Sequence, residues 1–204
     1  MAGGHEDAER LQVETVDEWR AWLEANHERP DGVWLVTFKK GSGRPVVTWD
    51  ESVEEALCFG WIDSIRRKVD GERSRLWFSP RKPKSAWSAI NKERIERLER
   101  EGRMAPAGRR MVELAQQTGT WTALDAVEAL VVPDDLAAAF VEHPGAAEQW
   151  EGFPRSARSG ILQWIAQAKK PETRGARVAE TAEKAARGER ANQWTRKRSG
   201  AGTT

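Results

Sequence analysis

Cysteine is nearly absent from this chain. Cys58 is its one thiol, so no internal disulfide can form, and a reducing compartment suits it. Tyrosine is missing altogether. Histidine occurs at His5, His27 and His143 alone, too scattered to build a metal-ligand cluster with that cysteine. No metal site and no cofactor is therefore expected. No apolar run approaches the ~20 residues that a bilayer-spanning helix needs. The start, MAGGHEDAER, is polar and acidic, unlike a secretory signal. These absences lead to the expectation of a cytoplasmic protein with no membrane span.

What is present is a 204-residue chain with 39% hydrophobic and 32% charged residues, enough for one large domain or two small ones. Its 11 tryptophans read first as a tryptophan-rich core. The net charge of +1 hides four blocks. Acidic residues dominate 1–60 and basic ones 61–110; residues 111–151 hold no Lys or Arg at all, and 152–204 are basic again. Such blocks either neutralise one another or leave a basic surface for an anionic partner.

Along the chain, residues 1–8 and 191–204 read as disordered ends. Arg10–Val13 suggests a short strand, and Thr15 with Glu18 forms a capping box for a helix reaching about His27. Val33–Phe38 is a buried strand by its β-branched and aromatic run. Pro45–Trp49 reads as a second strand, and a helix over Asp50–Phe59 ends at Gly60. Asp70-Gly71 signals a two-residue hairpin between Trp61–Val69 and Glu72–Ser79. That register places Ile65 opposite Leu76. It puts Trp61, Asp63, Ile65, Val69, Leu76 and Phe78 on a core face, and Ser64, Arg66, Lys68, Arg73, Arg75 and Trp77 on a cationic one. Ser85 is the expected N-cap of a helix to about Glu101, with Trp87, Asn91, Ile95 and Leu98 on one face. Further helices are expected over 106–117, 134–142, 146–150, 155–169 and 172–187, several of them opened by proline. The composite is α+β: a small antiparallel sheet with packed helices over residues 9–120, then an all-helical unit over 121–190.

Three motifs carry a family likeness. Cys58-Phe59-Gly60-Trp61-Ile62-Asp63-Ser64 is the first. Pro80-Arg81-Lys82-Pro83-Lys84-Ser85-Ala86-Trp87-Ser88 with Asn91 is the second. Trp164-Ile165, Ala168-Lys169-Lys170-Pro171-Glu172-Thr173-Arg174 and Arg177 form the third. Together, over about residues 10–190, the chain resembles the bacteriocin-protection (YdeI/OmpD-associated) family. The resemblance implies a bacterial, cytoplasmic protein tied to bacteriocin or stress tolerance, with no established reaction. Gly175-Ala176 departs from the bulkier or basic residues that the family pattern leads one to expect there.

The residues themselves suggest chemistry of three kinds. Asp63 on an apolar strand face needs a partner, and Arg81 or Lys84 would serve as a salt bridge. Alternatively, Asp63 is a poised group in a tryptophan-lined pocket. Arg81, Lys82 and Lys84 before a Ser85-capped helix would favour an anion. A cleft formed by Trp61, Asp63, Phe78, Arg81, Lys84, Ser85, Trp87 and Asn91 would thus bind a small anionic ligand or an acidic protein partner. Arg174 and Arg177 form a secondary anion site, or else answer the acidic 111–151 block. Two other readings stand beside the binding module. One is an enzyme using Asp63 as acid or base; the other is nucleic-acid binding through the basic hairpin face and Trp77, the weakest because acidic blocks repel phosphates. Cys58 lacks a nearby base and the serines lack a histidine, so neither suggests a nucleophile.

Overall fold

The structure is a computed structural model, and it describes residues 5–192. It divides into two compact units, residues 1–123 and 124–204. The architecture is α+β.

In the first unit, β1 (Arg10–Gln12), α1 (Val16–Asn26), β2 (Val33–Phe38), α2 (Trp49–Cys58), β3 (Trp61–Lys68) and β4 (Arg73–Pro80) precede α3 (Ala89–Arg100) and α4 (Pro106–Gln117). The sheet order is β1-β2-β4-β3. It is mixed rather than purely antiparallel, because β1 runs parallel to β2 at the edge. α1 and α2 cover one face, burying Trp19, Leu23, Val53 and Leu57 against Val33, Leu35, Trp61 and Phe78. The Thr15–Glu18 capping box forms as expected.

Pro45–Trp49 is not a strand. Thr48 and Glu51 build a second capping box, so the segment is the approach to α2 rather than a ladder partner. α2 ends at Gly60, whose φ of 76° is open to glycine at little cost. Ser85 does not cap α3 either. Its amide donates to the Lys82 carbonyl in a turn, and the helix begins after Ser88.

The hairpin departs from its expected register in an informative way. Pairing near the open end is as anticipated, with Trp61 opposite Pro80 and Asp63 opposite Phe78. Beyond an irregularity between Asp63 and Arg66, Arg66 rather than Ile65 stands opposite Leu76. The cause lies in the turn: the Asp70 carboxylate accepts from the Glu72 and Arg73 amides at 2.9 and 2.7 Å, which lengthens the reversal by one residue. A one-residue shift exchanges the faces. Ile65 and Val69 are therefore exposed, and Arg66 joins the face of Leu35 and Leu76.

The second unit holds α5 (Asp125–Glu128), α6 (Asp134–Glu142), α7 (Ala146–Glu151), α8 (Arg155–Ala166) and α9 (Pro171–Ala186). Leu136, Phe140, Trp150, Ile161, Ile165, Val178 and Ala182 fill its core. Of the chain ends expected to be disordered, residues 1–4 and 193–204 lie outside the described residues. His5 and Glu6 contact the sheet through Trp77 and Arg75, and Ala191 is buried in the second core.

Candidate functional site

The eight residues expected to line one cleft separate into three environments. Trp61, Phe78 and Trp87 are core. Trp61 donates its indole N–H to the His27 carbonyl at 3.0 Å, Phe78 packs on Trp19, and Trp87 packs on Trp121. None of the three presents a surface to a solute. Their spacing in the motifs reflects packing, which is the ordinary fate of aromatic residues at such positions.

Asp63 does not meet Arg81 or Lys84. Its carboxylate instead accepts the indole N–H of Trp49 at 3.1 Å and stays partly open to solvent. The expected buried salt bridge is absent because Arg81 turns the other way. Its guanidinium lies 3.8 Å from the centroid of the Trp87 ring and donates through Nη2 to the Ala86 carbonyl. Arg81 is 4% exposed, and among the described residues its Nε and Nη1 have no hydrogen-bond partner. Burial alone pulls its pKa down to about 10. Lys84 is exposed and Ser85 half-buried on the loop between Arg81 and Ser88. Asn91 accepts from Arg94 Nη1 at 3.1 Å.

The cavity that the fold does build lies on the helix-covered side of the sheet. It has a volume of about 550 Å³, inside the range typical of small-molecule sites. Leu35 and Leu76 form its floor, and the chain from Phe38 to Trp49 and the start of α2 form its wall. Thr37, Thr48, Ser52 and Ser74 bring hydroxyls to it, and Lys39, Lys40 and Arg66 bring positive charge. Lys39 is anchored, its Nζ donating to the Asp70 and Gly71 carbonyls at 2.7 and 3.1 Å. Among the described residues, neither Lys40 nor Arg66 meets a carboxylate. Asp50, the cavity's one acid, is already paired with Arg94. Trp49 stands at the mouth, 42% exposed, held by Asp63 on one side and faced by the Arg94 guanidinium at 4.8 Å. Sequence reasoning missed this cavity for two reasons. The expected strand over residues 45–49 leaves no wall for it, and the expected register turns Arg66 away from it.

A further buried cluster was also not anticipated. Glu55, on the α2 face beside Cys58, accepts from Arg20 Nη1 at 2.7 Å and from Arg103 Nη2 at 2.5 Å. Burial pulls the Arg103 pKa down, but its hydrogen bonds to Glu55 and Glu101 outweigh that and hold it above the usual arginine range. Cys58 itself is fully buried, and desolvation pushes its thiol up to about 11. That is the opposite of the thiolate character a nucleophile requires.

In the second unit, Arg174 grips both Asp135 oxygens, at 2.7 and 2.9 Å, and holds that carboxyl below its ordinary value. Arg177 donates to the Trp164 carbonyl and lies over its ring. Both cations of the expected secondary anion site are thus engaged within the unit, Arg174 with an acid of the 111–151 block. Among the described residues, no group of three His, Cys, Asp or Glu side chains could hold a metal ion, and no helix is long and apolar enough to cross a membrane.

Residues 11–111 match the model of a domain of unknown function (DUF8412). Residues 129–188 match the model described as bacteriocin-protection, YdeI or OmpD-associated. The motifs at 58–64 and 80–88 fall within the first match and the motif at 164–177 within the second, so the likeness expected over 10–190 is divided between two models. No curated protein and no solved structure matches the chain.

Proposed function

We propose that this is a cytoplasmic protein of bacteriocin or stress tolerance that works by binding, a reading supported by the match of its helical residues 129–188 to the model described as bacteriocin-protection, YdeI or OmpD-associated. The ligand is a small anion, received in the cavity between the sheet and the 38–49 segment. The observation that carries this reading is the pair Lys40 and Arg66, two cations without acidic partners among the described residues, at the edge of a 550 Å³ cavity. The Thr37 and Ser74 hydroxyls supply directional donors around them, those of Thr48 and Ser52 being committed to Glu51 and to the Trp49 carbonyl, and Leu35 and Leu76 supply an apolar floor. Trp49 offers a flat wall, and Asp63 is the residue that orients it. Asp63 thereby keeps a place in the site as a support rather than as an acid or base. Lys84 and Ser85, on the separate 81–88 loop, offer a surface for an acidic partner segment.

The test is a thermal-shift screen of the full chain against phosphorylated metabolites, nucleotides and peptidoglycan fragments. A ligand at about 100 times its Kd adds roughly 2.7 kcal/mol and raises Tm by several degrees. The K40E/R66E variant, altered at exposed positions, is expected to melt like wild type and to lose that rise. A screen without any anionic hit, or an equal rise in the variant, refutes the assignment.

A further inference from the structure

The opposite face of the sheet poses a separate question. There Trp34 pairs with Trp77, and Val36 and Arg67 both stand opposite Arg75, with Arg10 beside Trp34 at the edge. Two residues of the chain's own start cover this face. The His5 ring stacks on Trp77, with centroids 4.1 Å apart and planes at 23°. The next residue, Glu6, places its carboxylate on Arg75, and Arg67 and Arg10 add to the field that holds this carboxyl below its ordinary value. The His5 carbonyl accepts the Trp34 indole N–H at 2.5 Å.

We propose that this face is a nucleotide-binding platform, which His5 and Glu6 occupy as an internal stand-in for a base and its phosphate. A flat heterocycle on tryptophan followed, one backbone step away, by an anion among three arginines is the pattern of a base-stacking, phosphate-pairing site. Arg75 supplies an independent indication. It is 8% exposed and lies 4.3 Å over the Trp34 ring, yet among the described residues its Nε and Nη1 have no partner while Nη2 takes Glu6. A phosphate, with more acceptor oxygens than a carboxylate, can serve the guanidinium edge that Glu6 leaves unserved. Room for the rest of a nucleotide is present alongside. A cleft of about 680 Å³ runs past Trp77 and His5, lined on one side by Ser64, Ser79 and Lys82 and on the other by Asp31 and the Arg29–Glu9 pair. Gly32 at its edge is required by the tryptophan, because a Cβ there would come within 2.4 Å of the Trp77 ring.

A tethered occupant competes with any ligand, and a face covered nine-tenths of the time weakens apparent affinity about tenfold. The experiment measures fluorescence polarisation of a labelled eight-nucleotide poly-dA strand with the full chain, the H5A/E6Q variant, and H5A/E6Q carrying R10Q/R67Q. The expected order is that H5A/E6Q binds at least about tenfold tighter than wild type, with an affinity that falls steeply with salt. The exposed R10Q/R67Q changes reverse most of that gain without altering the melting temperature. Displacement of the strand by millimolar AMP assigns the site to single nucleotides, whereas resistance to AMP assigns it to extended single strands; both support the platform. Equal binding by wild type and H5A/E6Q, or binding of an acidic octapeptide in place of the strand, overturns it. The cavity proposed above lies on the other face, so its K40E/R66E variant leaves this binding unchanged.

Discussion

Replacing Arg81 with Met tests how the 80–88 motif is held. In the structure the guanidinium is buried on Trp87, with one hydrogen bond to Ala86 and no acid. Burial lowers its pKa from the ordinary arginine range to about 10, which at ~1.4 kcal/mol per factor of ten is a cost of about 3 kcal/mol. Against this stand about 2 kcal/mol from a desolvated cation–π contact and about 1 kcal/mol from the hydrogen bond. Methionine removes all three and regains up to about 1 kcal/mol by placing its sulfur on the same ring. The net change is therefore expected to lie within about 1 kcal/mol of zero. The sign with pH follows from a lowered basic pKa: the penalty is complete below the folded-state value of about 10 and fades only as pH rises above it. The difference between R81M and wild type should thus stay constant from about pH 5 to 9. Urea unfolding followed by tryptophan fluorescence measures it, since most tryptophans lie in residues 1–123. A loss of about 3 kcal/mol or more would mean a broken buried ion pair. Coupling between R81M and D63N beyond about 0.5 kcal/mol would likewise restore the salt bridge that the geometry denies.

Three other outcomes follow from the same reasoning. Glu55→Gln leaves Arg20 and Arg103 without their shared buried carboxylate and should cost on the order of 3–5 kcal/mol, read as a lower urea midpoint. An unchanged midpoint would show that the triad is not formed. Cys58 should resist a thiol reagent such as DTNB at pH 8 in the native protein and react as one equivalent per chain once unfolded; rapid native reaction would contradict its burial. Asp135 is held below its ordinary value by Arg174, so that pairing stabilises above the unfolded-state carboxyl pKa and is lost as pH falls through the folded one. The Tm difference between wild type and R174A should accordingly be present at pH 7 and vanish in strong acid. A difference that persists there would point to packing instead.

Local signals determined a good part of this protein. The Thr15–Glu18 capping box, the strand at Val33–Phe38, the stop at Gly60 and the proline-opened helices α4 and α9 are each governed by a few neighbouring residues, and they appear where those residues put them. The tryptophan count likewise announced buried rings, of which Trp19, Trp61 and Trp87 fill the core of the first unit and Trp150 that of the second. Tertiary structure decided which residues face a site. The Asp70 carboxylate took two amides and lengthened one turn by a residue, and the resulting slip brought Arg66 into a cavity and left Ile65 in solvent. Asp63 found Trp49 rather than Arg81, because β3 and the start of α2 are close in space and distant in any motif. The placement of His5 and Glu6 on Trp77 and Arg75 depended on contacts about seventy residues apart, which no local pattern encodes. Capping and turn propensities act over a few residues and can be read in order; the facing of side chains depends on register, and register is set only when the whole sheet pairs.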